Sequence, residues 1–207
     1  MKLQSFFKEQ IENRISLKNT LLISEEFLSQ LNEAIELTKN TIISGKKILI
    51  AGNGGSAADA QGFAGELVGR FNFDRPGLPA IALTTDTSVM TAIGNDYDFE
   101  SIFSRQIDAI GQNDDLFFAI STSGRSKNII KASESAKKKK MKIIAFTGAE
   151  KTKLDDYSDI SIKVPSYLTP DIQEIHLMSI PILKILKLNK SCEVSKKNID
   201  FDQRTNI

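Results

Sequence analysis

The sequence predicts an α/β fold, with a doubly wound, mainly parallel sheet of five strands and an N-terminal helical extension. Five short runs rich in Ile, Val and Phe mostly lack polar alternation, which is typical of strands buried on both faces of a parallel sheet. Helix-like stretches separate these runs, and Ser- and Gly-rich loops follow two of them. The predicted strands are 47–51, 80–83, 116–120, 142–146 and 159–164.

The chain before the first predicted strand has a helical pattern. Ser24 is placed to cap a helix whose apolar residues recur at threes and fours, and Gly45 is placed to end it. Further helices are predicted at 56–70, 87–93, 100–110, 126–139 and 170–188. We therefore expect a single domain, with N-terminal helices over about 1–45, an α/β core over about 46–190 and a polar tail over about 191–207.

Composition narrows the class of protein. The 207 residues, 41% of them hydrophobic, fit one substantial core better than two. The net charge of +1 does not favour direct nucleic-acid binding, and the basic run from Lys137 to Lys140 fits the solvated end of a helix. Cys192 is the only cysteine, so no intrachain disulfide can form and a reducing cytoplasm is expected. We expect no signal peptide and no membrane partner, because no stretch approaches the ~20 apolar residues of a span.

Two Gly- and Ser-rich loops carry the strongest functional signal. Gly52-Asn53-Gly54-Gly55-Ser56 follows the first predicted strand, and Ser121-Thr122-Ser123-Gly124-Arg125-Ser126 follows the third. Such loops direct backbone N–H groups and hydroxyls at a ligand beside a helix N-terminus, which favours a phosphate, although either loop alone could be a helix-capping turn. Both follow strand C-termini, where parallel sheets bind ligands, so we expect one shared pocket.

The motifs also restrict the kind of ligand. The second loop has no Lys and therefore does not match a nucleotide P-loop. The first loop lacks the G-x-G-x-x-G pattern of dinucleotide sites, because Ala57 stands where that pattern continues. A phosphorylated small molecule is favoured over a nucleotide cofactor.

Other polar positions stay open from the residues alone. Glu66 lies about ten residues beyond the first loop, and its plainer interpretation is a surface helix glutamate. Asn95 and Asp96 fit a helix-ending turn. Gln173 and His176 lie three apart on the last predicted helix, and His176 is expected to be a packed, hydrogen-bonded structural residue.

Five segments resemble the signature of bacterial phosphoheptose isomerases, which have the sugar isomerase (SIS) fold. They are 51–61, 75–84, 94–96, 120–124 and 172–176, and the similarity runs from about Phe6 to Leu188. The resemblance implies a cytoplasmic homotetramer, with active sites built between subunits, that converts sedoheptulose 7-phosphate to D-glycero-D-manno-heptose 7-phosphate.

The resemblance also implies roles for individual residues. Glu66 would be the general base that moves a proton between C1 and C2 through an enediol. The hydroxyls of the second loop would take the phosphate. The implied substrate-binding residues are Asn53, Gly54, Gly55, Ser56, Asn95, Asp96, Ser121, Thr122, Ser123, Ser126 and Gln173.

Two positions depart from the family pattern. The family carries histidines where this chain has Gly62 and Pro181, and these histidines form its zinc site together with the glutamate and the glutamine. Only Glu66 and Gln173 of that set remain, whereas zinc normally needs three or four protein ligands, so no cofactor is expected. His176 does not take the place of the family histidine missing at position 181. Five residues along a helix rotate the side-chain direction by about 140°, so the two positions face different ways.

These departures leave more than one function open. The expected function is isomerisation of a phosphorylated seven-carbon sugar by Glu66, with water or another residue as the acid. The alternative is a non-catalytic regulator, because one branch of the same family binds the bacterial replication initiator as a tetramer and has lost acid–base residues. The missing second histidine fits that branch, whereas the retained Glu66 does not. A third hypothesis is a sensor that binds the sugar phosphate without turnover.

Overall fold

Five short strands form one fully parallel sheet, flanked by helices on both faces. The computed structural model describes residues 3–69 and 74–184, with the backbone alone for 181–184. The elements are α1 (Leu3–Leu22), α2 (Glu25–Ile43), β1 (Ile48–Gly52), α3 (Gly55–Val68), β2 (Ala80–Ala82), α4 (Thr87–Asp96), a 3-10 turn (Phe99–Ser101), α5 (Ser104–Ile110), β3 (Leu116–Ile120), α6 (Lys127–Lys138), β4 (Lys142–Thr147), α7 (Lys153–Tyr157), β5 (Ile160–Lys163) and α8 (Thr169–Lys184).

The strand order in the sheet is β2-β1-β3-β4-β5. Gly52 at the end of β1 lies opposite Ile120 at the end of β3, and Ile120 lies opposite Phe146 of β4. The chain leaves β1 toward one edge of the sheet and leaves β3 toward the other. Such a reversal between neighbouring parallel strands is where open α/β sheets form ligand crevices.

Alternating side chains of the strands build two apolar layers. On one face, Phe118 and Phe146 pack with Phe63 of α3, and the rings of Phe63 and Phe118 meet edge to face at 4.9 Å. On the other face, Phe117 packs with Ile107 of α5 and with residues of α6 and α7. Because every residue of β1 and β3 is buried, their loops emerge from a fixed base.

The helix signals of the N-terminal region act as predicted. The Ser24 hydroxyl accepts a hydrogen bond from the Phe27 amide at 3.2 Å, and Gly45 adopts a left-handed φ of +70° just after α2. Helix α1 is held to α8 by Arg14 and Lys18, which both pair with Glu174, at 2.8 and 2.6 Å. Within the described ranges, no helix has the length and apolar character needed to cross a membrane.

Two helical segments differ from the sequence prediction. The helix predicted over 100–110 is divided into the 3-10 turn and α5. Residues 101–104 are all buried, so no single helix face can point at the core there. Helix α7 was not predicted, because it has only five residues and starts at a capping box of Thr152 and Asp155. The predicted tail over 191–207 and the end of the last predicted helix lie outside the described residues.

Candidate functional site

The two Gly- and Ser-rich loops lie side by side at the carboxyl edge of the sheet. Each follows directly from one of two hydrogen-bonded neighbours, β1 and β3, at the reversal of strand order. The first loop leads into α3 and the second into α6. The expectation that both loops lie at one edge of the sheet agrees with this arrangement, whereas the expectation of one shared pocket stays a prediction.

A reciprocal pair of side-chain amides joins the two loops. Asn53 donates from Nδ2 to Oδ1 of Asn128 at 2.8 Å, and Asn128 donates back to Asn53 at the same distance. Asn128 lies in the first turn of α6 and is 3% exposed. The pair fixes the first loop against the helix that follows the second. Sequence reasoning missed Asn128, which is one of several polar residues on the buried face of α6 and therefore gives little signal in the sequence.

The second loop is folded back on itself. Gly124 has a φ of +62° and its amide donates to the Ser121 carbonyl at 3.0 Å. The hydroxyls of Ser121 and Ser126 lie 3.0 Å apart. A Cβ at position 124 would collide with the side chain of Thr152. The fold of this loop therefore depends on a glycine and on the start of α7.

The first loop is held by the last helix. Gly54 has a φ of +56° at the start of α3. Gly55 follows, and a Cβ there would collide with the side-chain amide of Gln173. The amide of Ser56 donates to the Asn53 carbonyl at 3.0 Å, and Ser56 is buried. Gln173 is thus brought to the first loop although 118 positions separate it from Gly55 (173 − 55).

Thr122 and Ser123 face a cleft beyond the second loop. Its other walls are the segment 148–150 after β4 and residues of the segment that leads into α8, with Tyr167 at the mouth. Gly148 also lines the cleft, and its amide donates to the Thr122 carbonyl at 3.0 Å, which ties the second loop to the segment after β4. The cleft places exposed hydroxyls and backbone next to open space, as an anion site requires.

Glu66 lies on the side of α3 that carries the contact with Gln173. Residues 55, 59, 62 and 66 fall within about 60° of one another on a helix with 3.6 residues per turn. Along the axis, however, Glu66 is about 16 Å beyond Gly55. Its carbonyl accepts a hydrogen bond from Arg75 at 2.8 Å. Glu66 is therefore aligned with the first loop along α3, about three helical turns farther on.

Asn95 and Asp96 are the last two residues of α4, at the helix end where the sequence suggested a turn. Asn95 donates to the Asp96 carboxylate at 2.8 Å, and both side chains are exposed. Within the part of the chain that the structure describes, no hydrogen bond or ion pair links them to either loop. They are not brought together with the other predicted site residues.

The chain is similar to proteins of a known family. The SIS domain family model matches residues 16–148. A phosphoheptose isomerase of Aneurinibacillus thermoaerophilus is 51% identical over 85% of this chain and 89% of its own length. One of Sulfurimonas denitrificans is 44% identical over 97% of this chain and 98% of its own. The phosphoheptose isomerase GmhA of Neisseria gonorrhoeae superposes with a TM-score of 0.82 at 39% identity, covering 88% of this chain and 97% of that one. The chain belongs to the SIS-domain phosphoheptose isomerase family.

The residues present in this family member do not fit a zinc site. Gly62 offers no ligand, and nothing lies within 4 Å of a Cβ built there. The amide of Gln173 packs against Gly55, and Pro181 has no donor group for a metal. Among the described residues, no group of three or more His, Cys, Asp or Glu side chains could hold a metal ion. Glu66 and Gln173 alone fall short of the three or four protein ligands that zinc requires.

Asp59 is a buried carboxyl on α3 that sequence reasoning missed. It lies on the same face of α3 as Gly55 and Glu66, and it is 7% exposed. Its Oδ2 is buried without a hydrogen-bond partner in the described ranges. Burial raises the pKa of the Asp59 carboxyl above its ordinary value. This SIS-family chain therefore buries a carboxyl one turn from its first loop.

His176 is packed in the core below the site. Its Nε2 lies 3.3 Å from the Thr147 carbonyl, and its ring meets the edge of Phe146 at 5.4 Å. Burial lowers the pKa of His176 to about 4, so the ring is neutral at neutral pH. This agrees with the sequence-based expectation of a structural histidine.

Proposed function

We propose that this chain is an aldose–ketose isomerase that converts sedoheptulose 7-phosphate to D-glycero-D-manno-heptose 7-phosphate. The observation that carries the proposal is the pair of loops at the strand-order reversal, clamped together by Asn53 and Asn128, in a member of the phosphoheptose isomerase family. The alternative, a regulator that binds the replication initiator, is not favoured by any contact in the described residues.

The second loop is the proposed grip on the phosphate. It lies before the N-terminus of α6, where unpaired backbone N–H groups and the helix dipole favour an anion. Thr122 and Ser123 offer hydroxyls to the cleft, and Ser121 and Ser126 shape the loop and supply two more. We assign the sugar hydroxyls to Asn53, Ser56 and Gln173 at the first loop.

Glu66 is the proposed base. Its carboxylate would remove a proton from one of the two carbons C1 and C2 and return it to the other through an enediol, while water or another residue moves the hydroxyl proton. With the phosphate at the loops, the reacting end of the sugar would point along α3 toward Glu66. No step in this scheme uses a metal or another cofactor.

We further propose a homotetramer with sites shared between copies, acting in the cytoplasm. One observation supports shared sites: among the described residues, no hydrogen bond or ion pair links Asn95 or Asp96 to either loop, and the two side chains bond only each other. Exposed apolar side chains on α1 support assembly, because monomers rarely leave such patches open. The single cysteine and the absence of a disulfide pair support a reducing compartment.

The proposal is tested by the activity of Glu66→Gln. The purified protein is incubated with sedoheptulose 7-phosphate, and aldose formation is followed by NMR. We expect turnover by the unaltered protein without added zinc, and a loss of about 10²–10⁴-fold in kcat in the variant, because the base is removed. Binding of the ketose should persist. The matched control is Glu36→Gln, at an exposed position of α2.

If no aldose forms either with or without added zinc, the proposal that this chain is an isomerase is wrong. Co-purification with the replication initiator in that case would support the regulator instead. Binding without turnover would support the sensor.

A further inference from the structure

The second loop contains one charged side chain, and it borders the cleft. We propose that Arg125 is a specificity-determining ligand for the phosphate dianion, and that Glu150 holds it in an exposed ion pair until the ligand arrives. This inference rests on the proposed function and deepens it. The hydroxyls and amides of the loop are neutral, so Arg125 supplies the charge that separates phosphorylated from unphosphorylated sugars.

The position of Arg125 follows from the fold of the loop. Its backbone amide donates to the Ser123 hydroxyl at 3.2 Å, so residues 123–125 form one tight turn. Its guanidinium pairs with the Glu150 carboxylate. Arg125, Glu150, Thr122 and Ser123 all line the same cleft. Arg125 lies in the same loop as the four hydroxyls assigned to the phosphate, within four positions of each of them.

Breaking the ion pair between Arg125 and Glu150 costs little free energy. The side chains of Arg125 and Glu150 are 68% and 44% exposed, and ion pairs that are this exposed to water contribute little to stability. A phosphate dianion can accept two parallel hydrogen bonds from one guanidinium and carries more charge than a carboxylate. Arg125 therefore gains by turning from Glu150 to the ligand.

The backbone of Glu150 is tied to its surroundings, whereas the side chain of Arg125 is 68% exposed. Lys163 donates from Nζ to the Glu150 carbonyl at 2.6 Å, and the same Nζ bonds the Asp155 carboxylate at 3.1 Å. The backbone at position 150 is thus tied to β5 and α7. Glu150 competes with an arriving anion for the Arg125 guanidinium. This competition lowers the affinity for anions, so weakly charged ligands bind poorly.

Calorimetry with inorganic phosphate and with sedoheptulose 7-phosphate tests the inference. We expect Arg125→Gln to weaken both ligands about tenfold, as the loss of a charge-assisted hydrogen bond does. The affinities of Arg125→Lys should fall between those of the unaltered protein and those of Arg125→Gln, because lysine keeps the charge and loses the paired donors. Glu150→Gln should tighten both ligands about threefold, because the competing charge is gone. Thermal unfolding of each variant checks that the fold is unchanged.

The matched controls are Lys138→Gln and Glu134→Gln. They remove the same charges from an exposed pair at the far end of α6, and they should leave both affinities unchanged. If Arg125→Gln binds as tightly as the unaltered protein while Ser123→Ala binds more weakly, the inference is wrong and the phosphate site stands. Weaker binding by Glu150→Gln would overturn its competing role. Failure of the unaltered protein to bind either ligand would overturn the proposed function itself.

Discussion

His176 is the only histidine in the chain, and it is fully buried. Its protonation therefore makes a distinct contribution to how the free energy of unfolding depends on pH. Its pKa is about 4 in the folded protein and 6.5 in its ordinary state. Between these values the unfolded chain binds more protons, so this contribution to stability is complete above pH 6.5 and declines as the pH falls toward 4. We expect a loss of about 2 kcal/mol in the free energy of unfolding from pH 7 to pH 5.

Urea unfolding at pH 5, 6 and 7 measures this loss. The variant His176→Gln, which has no titrating ring, should show a much flatter dependence over the same range. A variant with the same slope as the unaltered protein would show that other groups cause it.

Single-residue roles were predictable where the signal was local. The hydroxyls and glycines of the second loop and the structural nature of His176 follow from short stretches of sequence. The contacts of Asn128 with Asn53 and of Gln173 with Gly55 join positions 75 and 118 residues apart (128 − 53, 173 − 55). They depend on how strands and helices pack, which residue types alone do not specify.

At the scale of elements, α3 is unusual in containing Gly55, Gly62 and Gly65 within 14 residues. Glycine in a helix interior costs about 0.5–1 kcal/mol relative to alanine. A Cβ at Gly62 meets nothing within 4 Å, so we expect Gly62→Ala to raise the free energy of unfolding by about that amount. Gly55→Ala should lower the free energy of unfolding, because the new Cβ would collide with the side chain of Gln173.

Thermal and urea unfolding of both variants measure these opposite changes. Gly65→Ala, whose Cβ also meets nothing within 4 Å, is the matched control and should behave like Gly62→Ala. If Gly62→Ala instead lowers the free energy of unfolding, the space beside Gly62 is filled in the native protein.

The strands and most helices were predictable because buried parallel strands read as apolar runs. All five predicted strands overlap the observed ones, and the helix beginning at Ser24 ends before Gly45 as expected. The predicted helix over 100–110 failed in its first half, because four successive buried residues there leave no helical periodicity. Helix α7 is too short for the 3.6-residue period to be visible.

At the scale of the whole molecule, α1 leaves an apolar stripe uncovered. Phe7, Ile11 and Ile15 lie four residues apart on one face, and each is more than half exposed. We expect the double change of Ile11 and Ile15 to Asp to break up the proposed tetramer, because it places charges in the stripe. Light scattering after size exclusion gives the mass directly.

The control for this experiment is Glu12→Lys, which changes a charge on an exposed position of the same helix. It should leave the mass unchanged. A monomeric mass for the unaltered protein would contradict the assembly.

One turn of α8 meets three parts of the molecule at once. Gln173 abuts the glycine loop, Glu174 pairs with Arg14 and Lys18 on the outermost helix, and His176 rests on the sheet. The outermost helix and the glycine loop are therefore joined through two adjacent residues of α8. In the proposed tetramer, a contact made on α1 would act on the pocket by this short route.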